Sequence, residues 1–211
     1  MEKTPELQAI SNASDSELML ICAAAAERGM AFCRVLGGTE SIEWADEALE
    51  LAWAAAAGEF NESECADALD GLEMDSGDDE DDSSSPEFFI AQSLALIGNA
   101  LSASLRPTAA KAELSVNTMR SLLSMLDFKL AGEHPVIVRY GEGVPPPGVL
   151  QQMEIDAERE LADLLARRDK GDGQRSNIAS ALPQVEASSR EFSAQLATSI
   201  EEVADLSDWE L

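Results

Sequence analysis

Between Ser14 and Gly132 the chain repeats one local pattern: a capping residue, an apolar run at helical spacing, then a glycine or proline that ends it. Ser14-x-x-Glu17 is a capping box. It opens a helix whose apolar positions Leu18, Ile21, Cys22, Ala25 and Phe32 follow a period of about 3.6 residues, closed by Gly37-Gly38. Thr39 is placed to cap a second helix, with Glu40 and Glu43 in its first turn and Ile42, Leu49, Trp53 and Ala56 on its apolar face. Asn61-x-x-Glu64 opens a short third helix carrying Cys65, Ala68, Leu69 and Leu72. Ser85-Pro86-Glu87 opens a fourth over about 86–105, apolar nearly all round and therefore expected at the centre.

Pro107-Thr108 restarts the chain into a fifth helix that ends at Gly132, and 133–148 reads as a loop with room for one short extended run. A sixth helix over about 148–170 uses Leu150, Met153, Ala157, Leu161, Leu164 and Leu165. A last one over about 184–206 uses Phe192, Leu196, Ile200 and Val203. Aromatics are only 5% of the chain, which favours helix over sheet. The expected fold is all-α, a single compact bundle of about six or seven helices with an acidic loop between helices three and four. Residues 1–13 are read as an N-terminal extension and 14–183 as the helical domain, with its acidic loop at about 74–84. Residues 184–211 are read as a C-terminal helix and tail.

Charge is distributed unevenly along this frame. The net charge is −27, and between Arg34 and Arg106 there is no Lys or Arg while residues 35–105 carry 18 Asp and Glu. The last 111 residues hold 11 of the 14 basic groups. Such a chain repels nucleic acid and anionic membrane and attracts a basic protein. No run approaches eighteen apolar residues, and the N-terminus "MEKTPELQ" has no basic segment followed by an apolar one. A cytoplasmic protein with no membrane and no nucleic-acid partner is expected.

Catalytic and metal signatures are thin. His134 is the sole histidine and precedes Pro135, so no pair of Glu-x-x-His motifs exists for a di-metal carboxylate bundle. Cys22, Cys33 and Cys65 show no CxxC spacing and read as small buried hydrophobes. In "DSGDDEDD" the acids are contiguous and Gly77 falls too early for a calcium loop. No cofactor is expected, and the chain is not read as an enzyme.

"LMLICAAAAERGMAFCRVLGG" followed by "ADEALELAWAA" resembles the opening of the bacterial YjaG-like family of uncharacterised all-helical proteins. The positions that carry the likeness are Glu27-Arg28, Phe32-Cys33, Gly37 and Leu49-Glu50-Leu51-Ala52-Trp53, with Ser176-Asn177-Ile178 matching a closing signature. The likeness spans about residues 17–180. Ala26 stands where the family has Cys, and the acidic insert replaces a shorter linker. The resemblance implies a helical fold and supplies no catalytic residues. Glu27-Arg28 is read as an ion pair and Ser176-Asn177 as a cap.

The function expected from these residues is non-enzymatic protein binding. A cytoplasmic immunity protein or antitoxin that neutralises a basic bacterial toxin, a nuclease above all, fits the charge, because nucleases must be basic to hold phosphate. The expected contacts are Asp75, Asp78, Asp79, Glu80, Asp81 and Asp82, helped by Glu43, Glu47 and Glu50. Trp209 and Phe60 are the candidate aromatic anchors, and Trp209 reads equally well as a hydrophobic clasp onto the domain. The alternative is a helical adaptor or stress-related housekeeping protein whose acidity serves solubility.

Overall fold

Four consecutive alanines, Ala23 to Ala26, are each fully buried. At about 100° per residue, four successive positions sweep the whole circumference of a helix, so this helix is covered on every side. It is α2 (Asp15–Leu36), the axis of a bundle whose other described helices are α1 (Pro5–Asn12), α3 (Thr39–Ala57), α4 (Glu62–Asp70), α5 (Pro86–Leu105), α6 (Ala109–Leu130), α7 (Val149–Ala166) and α8 (Gln174–Leu206). The computed structural model describes residues 5–72, 84–132, 134, 145–166 and 174–209, and these contain no strand. The all-α expectation holds, with eight helices among the described residues.

The central position falls to α2, which packs on α3, α5, α6 and α8. Small side chains explain this: alanines let neighbouring backbones approach from all directions, where a larger residue would hold them off. The single apolar stripe expected for α2 is therefore too narrow a description, since Leu20, Ala23, Ala24 and Ala26 are buried as well. Helix α5, expected at the centre, lies against α2, α3, α4 and α6. It is also the one helix among the described residues long and apolar enough to cross a membrane, with mean hydropathy 1.5 over a window that is 50% buried inside the bundle.

Most helix ends follow the capping signals. The Ser14 N–H donates to the Glu17 carboxylate at 2.7 Å, and Asn61, Ser85 and Thr108 side chains each accept a first-turn N–H. Gly38 rather than Thr39 occupies the cap of α3, an offset of one residue. The start of α7 has an unforeseen cap: both oxygens of Asp127, on α6, accept the N–H groups of Leu150 and Gln151 at 2.9 Å. Helix α8 begins at Gln174, ten residues before the expected start, and runs through Pro183. Buried Ile178, Ala181 and Val185 hold the turns around that proline in the core and offset the lost hydrogen bond. The N-terminal extension contains α1, whose Ile10 joins the core.

Helices α2 and α5 approach closely at Gly29. A methyl group there would lie 2.7 Å from Leu96 Cδ1 and 3.2 Å from Met119 Sδ, and Leu96 and Met119 are themselves buried. Gly29→Ala is expected to destabilise the protein by about 1–3 kcal/mol through overpacking, read as a lower midpoint of denaturant unfolding with an unchanged slope.

Candidate functional site: a buried ionic network and an acidic face

Helix α2 carries two adjacent charges into the interior, and both stay there. Glu27 is 1% and Arg28 3% exposed. A helix places neighbours about 100° apart, so the two side chains leave in different directions and find separate partners. Arg28 meets Glu154 of α7 in a bidentate pair, Nε to Oε2 at 2.8 Å and Nη2 to Oε1 at 2.6 Å. Its guanidinium carbon also lies 5.7 Å from the centroid of the Phe192 ring on α8. Glu27 accepts from Trp53 Nε1 at 3.1 Å and from Arg34 at 3.4 Å, with Arg190 of α8 at 3.7 Å. The expected Glu27–Arg28 pair is thus replaced by two clusters that tie α2 to α3, α7 and α8.

One helical turn beyond Glu154, Glu158 receives a bidentate pair from Arg120 of α6, one arm of which measures 2.9 Å. Burial pushes the Glu158 carboxyl up to about 7, Glu154 adds to the rise, and Arg120 and Arg28 oppose it. Glu158 and Arg28 line a cavity of about 210 Å³, walled by Ile10, Ile21, Val116, Leu161 and Leu165. On the other side of Arg28 a groove of about 850 Å³ opens between α7 and α8.

The three cysteines are free and buried. Burial raises Cys22 and Cys33 to about 11 and lifts Cys65 as well, so all three are protonated at neutral pH. Among the described residues no group of His, Cys, Asp and Glu is arranged to hold a metal ion.

The expected partner contacts separate into three sets. Asp75, Asp78, Asp79, Glu80, Asp81 and Asp82 lie outside the described residues, as do the side chains of Ser176 and Asn177. The chain on either side of the acidic stretch is held to the domain, by α5 before it and by Trp209 after it. Leu72 Cδ2 lies 2.7 Å from the position a Cβ would take at Gly98, and the Ser84 carbonyl accepts from Trp209 Nε1 at 2.9 Å. Glu43, Glu47 and Glu50 are exposed on α3. Trp209 is half-buried and folded back onto the domain, its ring 5.4 Å from that of Phe89 and 5.2 Å from Lys129 Nζ. Phe60, at the α3–α4 turn, is 42% exposed.

The interior network was missing from the sequence expectations. A signal for it existed: Glu154 and Glu158 stand four residues apart on the same helical stripe as Leu150 and Leu161, and Arg28 interrupts an otherwise apolar run. The fold and its site define a helical bundle with an ion-paired interior and an acidic exterior. The chain matches no protein-family model, no curated protein and no solved structure.

Two measurements test the network. Glu154→Ala strands Arg28 without its carboxylate and is expected to cost about 3–5 kcal/mol in urea unfolding, whereas Arg28→Met combined with Glu154→Leu is expected to recover most of that loss. The raised Glu158 carboxyl has a defined sign. The native state holds a proton there that the unfolded chain, with its ordinary value of 4.5, releases; this stabilisation is complete below 4.5 and lost as pH rises through about 7. Glu158→Gln is expected to flatten the fall in Tm between pH 5 and pH 8, and an unchanged slope would exclude Glu158 as its source.

Proposed function

We propose that this is a non-enzymatic acidic binding protein, a cytoplasmic immunity protein or antitoxin that neutralises a basic bacterial toxin of the nuclease kind by covering its phosphate-holding surface. The observation that carries the reading is the run of exposed carboxylates from α3 into α4. Glu43, Glu47 and Glu50 are followed by Glu59, Glu62 and Glu64, with exposed Phe60 between Glu59 and Glu62. An aromatic set among acids has the make-up of a docking surface: the charge speeds encounter and the ring supplies contact area that charge alone does not.

Self-repulsion argues in the same direction. Helices α3 and α4 contain no Lys or Arg that could form the usual i, i+4 pairs with these acids. Arg34 of α2 reaches Asp46 at 3.0 Å from the side. The interior carboxylates Glu27 and Glu154 are engaged by guanidinium groups, which accounts for them as structural elements. Trp209 serves the domain as a clasp, which leaves Phe60, of the two candidate anchors, available to a partner.

The test begins with capture of partners from the source organism at low and high salt, identified by mass spectrometry. One stoichiometric basic protein with nuclease motifs is expected. With that partner in hand, replacing Glu43, Glu47 and Glu50 by Gln is expected to slow association about tenfold at low salt, and much less at high salt. Phe60→Ala is expected to speed dissociation. A diffuse set of partners, or none, refutes the reading and leaves the acidity as a source of solubility.

A further inference from the structure

We infer that the groove between α7 and α8 is a second docking surface, built to receive a basic amphipathic helix from another protein. Its wall is apolar: Met153, Ala157, Leu161 and Leu164 from α7 face Val185 and Phe192 from α8. Along α7 the lining runs from Val149 to Leu164, about 22 Å of helix at about 1.5 Å per residue, which is room for about four turns of a partner helix. Val149, 82% exposed at one end, extends the apolar strip to the surface.

Charge identifies the occupant. Asp156, Glu160 and Asp163 on α7 and Glu191 on α8 line the groove and are exposed. Among the described residues the nearby cations are engaged within the chain, Arg28 by Glu154 at 2.6 Å, Arg159 by Asp156 at 3.2 Å and Arg190 by Glu186 at 2.6 Å; the Asp156 charge is thereby balanced, and Glu160 and Glu191 carry the acidic character of the groove. An apolar trough with carboxylates on both sides complements a helix with leucines on one face and lysines or arginines on the other. The lining also holds Gln152, Gln184 and Gln195, whose amides suit the polar flank of such a helix. This surface belongs to α7 and α8 and stands independently of the α3–α4 face.

The probe is an 18-residue peptide of Leu, Ala and Lys with its leucines at i, i+3, i+4 and i+7, compared with the same peptide carrying Glu for Lys. The full chain is labelled at its methionine methyls and observed by NMR during titration. The Lys peptide is expected to move the Met153 signal and leave those of Met30 and Met119, both fully buried in the core, in place. Replacing Glu160, Asp163 and Glu191 together by Lys is expected to weaken binding about tenfold. Replacing Glu43, Glu47 and Glu50 by Gln is expected to leave it within about twofold. Val149→Asp supplies a second variant, expected to weaken binding through the apolar strip.

Three results would overturn the inference. The Glu peptide binding as tightly means that sign does not matter, and equal losses from the two charge variants mean that any acidic patch suffices. A stationary Met153 signal means that the groove is closed to such a helix. Because the α3–α4 variant is measured alongside, failure here is distinguishable from failure of the proposed inhibitor role.

Discussion

The bidentate contact between Arg28 and Glu154 is the constraint around which the helices are arranged. A charge on a helix that is covered on every side has no route to water, so it must be met in the interior by a partner of opposite sign and matching geometry. Arg28 is met from α7 by Glu154 and from α8 by the face of Phe192. Glu27, one residue earlier, is met from α3 by Trp53 and from α8 by Arg190. Two neighbouring residues thereby fix the height of α3, α7 and α8 relative to α2. Apolar packing alone would tolerate a slip of a helix along its axis; a bidentate ion pair does not.

The acidity of the chain is divided by this arrangement. Interior carboxylates have guanidinium partners, and most of the 14 basic residues that could supply them lie in the last 111 positions. The segment from 35 to 105 has no base of its own, and its described carboxylates remain on the outside of α3, α4, the turn between them and the first turn of α5. The arginines that meet interior carboxylates, Arg28, Arg34, Arg120 and Arg190, all lie outside this segment.

Helix capping shows how far local signals reach. Asn61, Ser85 and Thr108 cap helices because their side-chain oxygens satisfy N–H groups within three residues, and Glu17 does the same for the Ser14 N–H, a requirement that needs no tertiary structure. Asp127 does the same work for α7 from another helix, and no local pattern announces it. The run of α8 through Pro183 is similar: a proline is a local reason to stop, and the burial of Ile178, Ala181 and Val185 is a tertiary reason to continue.

By itself the sequence determined that the chain is helical, where most helices begin and end, and which half carries unpaired acid, because these depend on spacing and composition over a few residues. Exposure of Glu43, Glu47 and Glu50 was legible for the same reason. Only the tertiary structure decided that α2 is the axis, that Arg28 joins Glu154 across 126 positions, and that Trp209 turns inward to Phe89 and Ser84. Partners so far apart in the chain are selected by how helices pack, and a charge bears no mark in sequence of whether its counterpart will be water or a buried guanidinium.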